Sequence, residues 1–178
     1  MGEVVDLGGA RREKAAASAF ARWEKRLGHA PVADERLGQL PDGVLSQLAE
    51  LDQTATLALY DVVLGVRGWG AGEAFSYLEP AKKMEALDAF LFLADQVRFE
   101  VMRRLGWLRG IAAERHGICD LALHSRRIQA QHSPALPELT SAYPRFEEMQ
   151  KRLRLEPEAA IRSLIPEALA IFRRRAGR

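Results

Sequence analysis

The sequence predicts an all-α protein, a single-domain bundle of five to seven helices around one central buried helix. Three observations carry this. Residues 80–105, PAKKMEALDAFLFLADQVRFEVMRRL, run for 26 residues without glycine or internal proline. On a helical wheel this stretch leaves only a narrow polar stripe, Lys82, Glu85, Ala89, Gln96, Glu100 and Arg103. A helix that is apolar around most of its circumference has neighbours on several sides. The segments on both sides repeat apolar residues at helical spacing, and no alternating strand pattern persists anywhere.

The elements follow in chain order. Residues 1–10 are expected to be frayed. A first helix is expected from about Arg11 to Leu27, with Ala16, Phe20, Trp23 and Leu27 on one face and Gly28 as its C-cap. A connector follows, holding one short turn around Asp34–Leu37. Pro41 and Asp42 open a second helix that reaches about Leu64. Its core face carries Val44, Leu45, Leu48, Leu51, Ala55, Leu59, Val62 and Val63. A second apolar strip, Leu57, Tyr60 and Leu64, lies on its far side. That strip needs cover from the C-terminal region or from another subunit.

Gly65, Gly68, Gly70 and Gly72 end this helix and make a turn. The central helix opens through a Ser76/Glu79 capping box or through Glu79-Pro80, with proline at its first position, and Gly106 closes it. Beyond it, Trp107–His116 and Asp120–Ile128 are expected as short helices. Pro134, Pro137 and Pro144 dictate a loop over 131–144. Residues 144–153 read as helical through Phe146, Met149 and Leu153. Pro157 starts the last helix, which Pro166 should kink or divide.

Composition narrows the function classes. The 178 residues suit one domain, 1–178, with a sizeable core. A net charge of +2 is too small for a global electrostatic pull on nucleic acid or membrane. Arginine outnumbers lysine 21 to 5, a bias that fits a GC-rich, bacterial-type genome. The single Cys119 allows no intrachain disulfide, and nothing suggests an oxidising compartment. MGEVVDLGG lacks the pattern of a signal peptide. The longest apolar run, Ala89–Ala94, is far below the roughly 20 residues of a membrane span. A cytoplasmic location is therefore expected.

No strong catalytic motif appears, so the catalytic residues are unknown at this level. Four groups of residues are candidates. Arg98 falls on the apolar arc of the central helix, where an unpaired charge costs several kcal/mol. Asp95, one turn back, is its natural partner, with Asp88 two turns before Asp95 and Asp61 as further members. This polar network reads first as an ion-pair lattice fixing helix register, and alternatively as a small-ligand cleft at Asp95/Arg98. His116, Cys119 and His124 lie within nine residues, HGICDLALH. Their ligand types would suit zinc, but the spacing matches no known finger and a second cysteine is missing. No cofactor is predicted; zinc is the alternative.

The third group is Arg127 and His132, in Arg127-Ile-Gln-Ala-Gln-His132. This spacing resembles the Arg-x4-6-His of helical HEPN-type ribonucleases. The resemblance covers six residues and the all-helical class. It implies an RNA-cleaving cleft at a dimer interface lined by Arg127 and His132. Ile128 stands where the family has a polar residue. The fourth group is the interface set Leu57, Tyr60, Leu64 and Trp69, the last between two glycines and suited to an exposed anchor.

Two further patterns fail on detail. Gly65–Gly72 follows a helix and lacks the Lys-Ser or Lys-Thr of a phosphate loop. No Glu-x-x-His occurs, which a di-iron bundle would need. Arg173, Arg174 and Arg175 complement the dipole of a helix C-terminus. No aromatic side chains interleave with them to stack bases, so nucleic acid is not an expected partner.

The leading expectation is a non-catalytic protein-interaction or structural module acting as a homodimer, with an unknown protein partner possible and no membrane contact. The alternatives are a hydrolase or nuclease using His116, His124 or His132 with Arg127, and the small-ligand binder.

Overall fold

A computed structural model describes residues 7–32, 35–132 and 137–177. Within them the all-α expectation holds. Nine α-helices are present among the described residues: α1 (Leu7–Leu27), α2 (Asp42–Glu50), α3 (Gln53–Gly65), α4 (Pro80–Arg104), α5 (Ile118–Leu123), α6 (Ser125–His132), α7 (Phe146–Leu155), α8 (Pro157–Arg162) and α9 (Ile165–Ala176). The number exceeds the expected five to seven because three of the expected helices divide.

The expected face of α1 is the buried one, and Trp23 is fully enclosed. Its Nε1–H donates to the Ala58 carbonyl at 2.6 Å, which ties α1 to α3. The two helices approach closely because Gly65 meets Ala19 there: a Cβ on Gly65 would lie 3.0 Å from the Ala19 Cβ. Residues 7–10 belong to this helix, whereas the expected fraying of 1–6 lies outside the described residues. Gly28 ends the helix at φ 68, with its N–H on the Glu24 carbonyl.

The helix expected over 41–64 is two helices. Leu51 takes a left-handed conformation, φ 52 and ψ 35. Asp52 then caps α3, its carboxylate accepting from the Ala55 N–H at 2.8 Å. Asp52 is the helix-start signal that overrides the continuous apolar pattern. Pro157 starts α8, and α9 begins with Pro166 in its first turn, where the missing N–H costs nothing.

The central helix is α4, with Glu79 at its N-cap and Pro80 at its first position, so Ser76 is not the cap. Gly106 closes it at φ 81. Helices α2, α3, α5 and α9 all pack on it. The helix expected over 107–116 is absent. Gly106 and Gly110, both at positive φ, bracket an extended pair instead. Strand β1 (Leu108–Arg109) pairs antiparallel with β2 (Glu138–Leu139), Leu108 opposite Leu139. The Asp120–Ile128 helix breaks at His124 into α5 and α6. The expected turn at Asp34–Leu37 is a 3-10 turn at Leu37–Gln39; Asp34 lies outside the described residues, as do 133–136 of the proline loop.

A buried carboxylate holds the α1 side together. Asp61 on α3 is fully enclosed. It accepts from Arg26 Nε at 2.8 Å and from the Gly72 N–H at 2.7 Å, and it lies 3.2 Å from Arg22 Nε. The Arg22 contact is an ion pair without hydrogen-bond alignment. Arg26 also reaches Glu73, whose carboxyl it holds below the usual range.

Candidate functional site

The orientation of α4 decides which side chains are available. Part of the expected polar stripe turns inward: Ala89, Gln96 and Glu100 are buried, while Glu85 stays exposed and Lys82 and Arg103 are half-buried. Each buried polar group finds a partner there. Gln96 Oε1 accepts from the Ala113 N–H at 3.1 Å. Glu100, 1% exposed, takes two hydrogen bonds from Arg103, at 2.7 and 2.9 Å, and one from Arg104 at 3.1 Å. Arg104 goes on to Asp42 and to the carbonyls of Leu37 and Leu40, fastening α4 to the start of α2. The pairs of Glu100 with Arg103 and Arg104 are local, but their burial is not visible on a wheel, because Asp42, Leu37, Leu40 and Ala113 come from distant parts of the chain.

The opposite face, expected to be core, looks outward only in part: Ala94 and Met102 are buried, but its N-terminal half faces solvent. Met84 is 59% exposed and Leu91 53%, with Leu87 half-buried between them. Their spacing of three and then four residues is that of a seam between packed helices. Among the described residues five large hydrophobic side chains are exposed, and Tyr77, Met84 and Leu91 are three of them, seven residues apart. An open groove of about 450 Å³ runs between α4 and α6, lined by Asp88, Leu91, Phe92, Asp95, Arg126 and Gln129.

Asp88 and Asp95 therefore share one groove, but they do not form the expected network with Arg98. Asp88 pairs with Arg126 of α6 at 2.9 Å. Asp95 takes Arg162 of α8 in a two-pronged pair, at 2.8 and 2.6 Å, which raises the guanidinium pKa further. Arg98 is half-buried and donates to the Ala49 carbonyl at 3.4 Å. Asp61, the fourth expected member, is committed to α1. The Asp95/Arg98 ligand cleft thus lacks its arginine. The two arginines that do face the carboxylates, Arg126 and Arg162, lie far away in sequence and carry no local signal.

The expected interface strip is covered by the chain itself. Leu64 is fully buried, and Tyr60 stacks on Phe90 and Phe75 with ring centroids 4.4 Å away in each case. Phe75 comes from the 3-10 turn Gly72–Tyr77, which folds back over α3. Leu57 is half-buried. Trp69 is also half-buried, with Arg67 and Lys82 each 5.6 Å from its ring centroid, so it is not a bare anchor.

His116 precedes α5, Cys119 lies in its first turn and His124 ends it; all three are half-buried. Among the described residues no group of three or more His, Cys, Asp or Glu side chains could hold a metal ion. The zinc alternative therefore has no ligand set there. Arg127 is exposed on α6 and Ile128 beside it is buried. The His132 side chain lies outside the described residues, so the Arg127/His132 pair is not assembled on any observed geometry.

No protein-family model, curated protein or solved structure matches this chain. The ribonuclease-like spacing consequently stands on its six residues alone. No helix of the described residues is long and apolar enough to cross a membrane.

Proposed function

We propose that this protein is a non-catalytic interaction module whose docking surface is the outward face of α4. The observation that carries the reading is the exposure of Met84 and Leu91, with Leu87 between them, on a helix against which α2, α3, α5, α6 and α9 pack. Leaving about half of each side chain in water forgoes burial worth roughly 1 kcal/mol per residue. A partner helix laid along the seam would recover it. Asp88, Asp95, Arg126 and Arg162 form the polar rim that surrounds the apolar centre of an interface. The rim carboxylates are neutralised by their arginines, which suits docking better than acid–base chemistry. A cytoplasmic setting is part of this proposal, because the single Cys119 can form no intrachain disulfide.

The test is site-specific photo-crosslinking in expressing cells, with the probe replacing Leu91 and a control probe replacing Leu155. Leu155 is 74% exposed and ends α7. The reading expects one or a few discrete adducts from position 91 and none in common with position 155. A bare position 91, or the same diffuse pattern from both sites, rejects it.

A further inference from the structure

The rim charges narrow the choice of partner. On one side of Leu91 stands Asp88, three residues back, with Arg126; on the other stands Asp95, four residues on, with Arg162. The groove and its edge therefore carry two acids and two bases, spaced almost evenly along α4 before and after Leu91. A basic peptide would have to displace an arginine from its carboxylate, and an acidic one would have to displace a carboxylate from its arginine. Phosphates of a nucleic acid would meet Asp88 and Asp95 directly. A surface with the same balanced pairs meets no such cost.

We infer that the occupant of this face is a second copy of the chain, placed by a two-fold axis passing close to Leu91. The inference rests on the docking face proposed above. Antiparallel packing of two α4 helices about that axis sets Leu91 on Leu91. Asp88 with its Arg126 then lies level with Asp95 and Arg162 of the second copy but on the opposite flank of the Leu91 seam, so the acids of the two copies are kept apart. Met84 falls opposite Arg98 of the second copy, whose methylene stem offers apolar contact. Such a contact is isologous, one patch serving both subunits, and it closes after two copies. From Met84 to Leu91 the seam rises about 10.5 Å along the helix axis. So short a seam makes the dimer weak and concentration-dependent.

The experiment has two parts on the full chain. Sedimentation equilibrium over a wide concentration range should show the mass climbing from 19.8 kDa toward twice that value. Leu91→Glu and, independently, Met84→Glu should hold it at the monomer, with unchanged circular dichroism. In a Cys119→Ser background, Leu91→Cys should form a covalent dimer under mild oxidation much faster than Leu155→Cys, because only position 91 meets itself on the axis. A wild-type chain that stays monomeric overturns the inference, as does a dimer indifferent to Leu91→Glu or equal oxidation rates at the two positions. If the wild type is monomeric while the Leu91 photo-probe still yields a discrete heavier adduct, the docking face stands and the second copy is wrong. If neither appears, both fall.

Discussion

Exchanging the roles of Glu100 and Leu91 gives the sharpest stability prediction. The two residues lie on opposite sides of α4, and the structure reverses their expected environments. Glu100→Gln keeps the shape of the side chain and removes its charge. The Oε2 position, which receives Arg103 Nε at 2.7 Å, would then either become an amide donor facing a donor or lose its charge. Removing one partner of a buried pair costs about 3–5 kcal/mol. Two features reduce that figure here. Arg103 is 34% exposed and can turn to water, and Arg104 keeps Asp42 and two carbonyls. The expected loss is about 2–3 kcal/mol. In a chain of this length that lowers Tm by about 4–12 °C. Leu91→Gln, at a site 53% exposed, should stay within about 0.5 kcal/mol. Urea unfolding followed by circular dichroism reads both, through the midpoint at constant m-value. If Glu100→Gln is neutral and Leu91→Gln costs about 2 kcal/mol or more, α4 is turned the other way and the docking face is wrong.

Other consequences follow from particular contacts. Gly72→Ala places a Cβ 2.5 Å from the Leu57 carbonyl oxygen, so the Gly72–Tyr77 turn must move off α3 and lose its bond to Asp61; a loss of about 2–3 kcal/mol is expected, and an unchanged urea midpoint would refute the contact. At Leu51, held at φ 52, the usual helix ranking should invert: Leu51→Gly should be more stable than Leu51→Ala by about 1 kcal/mol, and the opposite order would remove the left-handed break between α2 and α3. Burial pushes the Tyr60 hydroxyl above its ordinary 10.0. Unfolded chains therefore release that proton at lower pH than folded ones, and stability should fall as pH rises past 10.0. Tyr60→Phe should flatten that slope in denaturation curves taken at increasing pH, and an identical slope would contradict the buried stack.

The architecture was legible where one face of a helix did all the packing. Ala16, Phe20, Trp23 and Leu27 are such a face, and they are buried as read. The central helix was legible in position and length but not in rotation. Its apolar residues occupy most of the wheel, so the burial of Glu100 and Gln96 depends on Asp42, Leu37, Leu40 and Ala113, which no local pattern connects to α4. The break after Glu50 was hidden because Leu51, not glycine, takes the left-handed turn; Asp52 was the available signal. The strip of Tyr60 and Leu64 was correctly read as needing cover. Its cover was missed because Phe75 sits in a stretch read only as a turn. In the groove, Asp88 and Asp95 are legible as charged residues of α4, but not their partners: Arg126, Arg162 and the outward Met84 and Leu91 depend on the packed chain.

Native mass spectrometry of freshly purified protein, wild type beside Leu91→Glu at matched concentration and neutral pH, tests the central claim most directly. The account predicts a population at twice the 19.8 kDa chain mass for the wild type, growing with concentration, and the single-chain mass for Leu91→Glu. Identical distributions for the two proteins would contradict the α4 face as the contact surface.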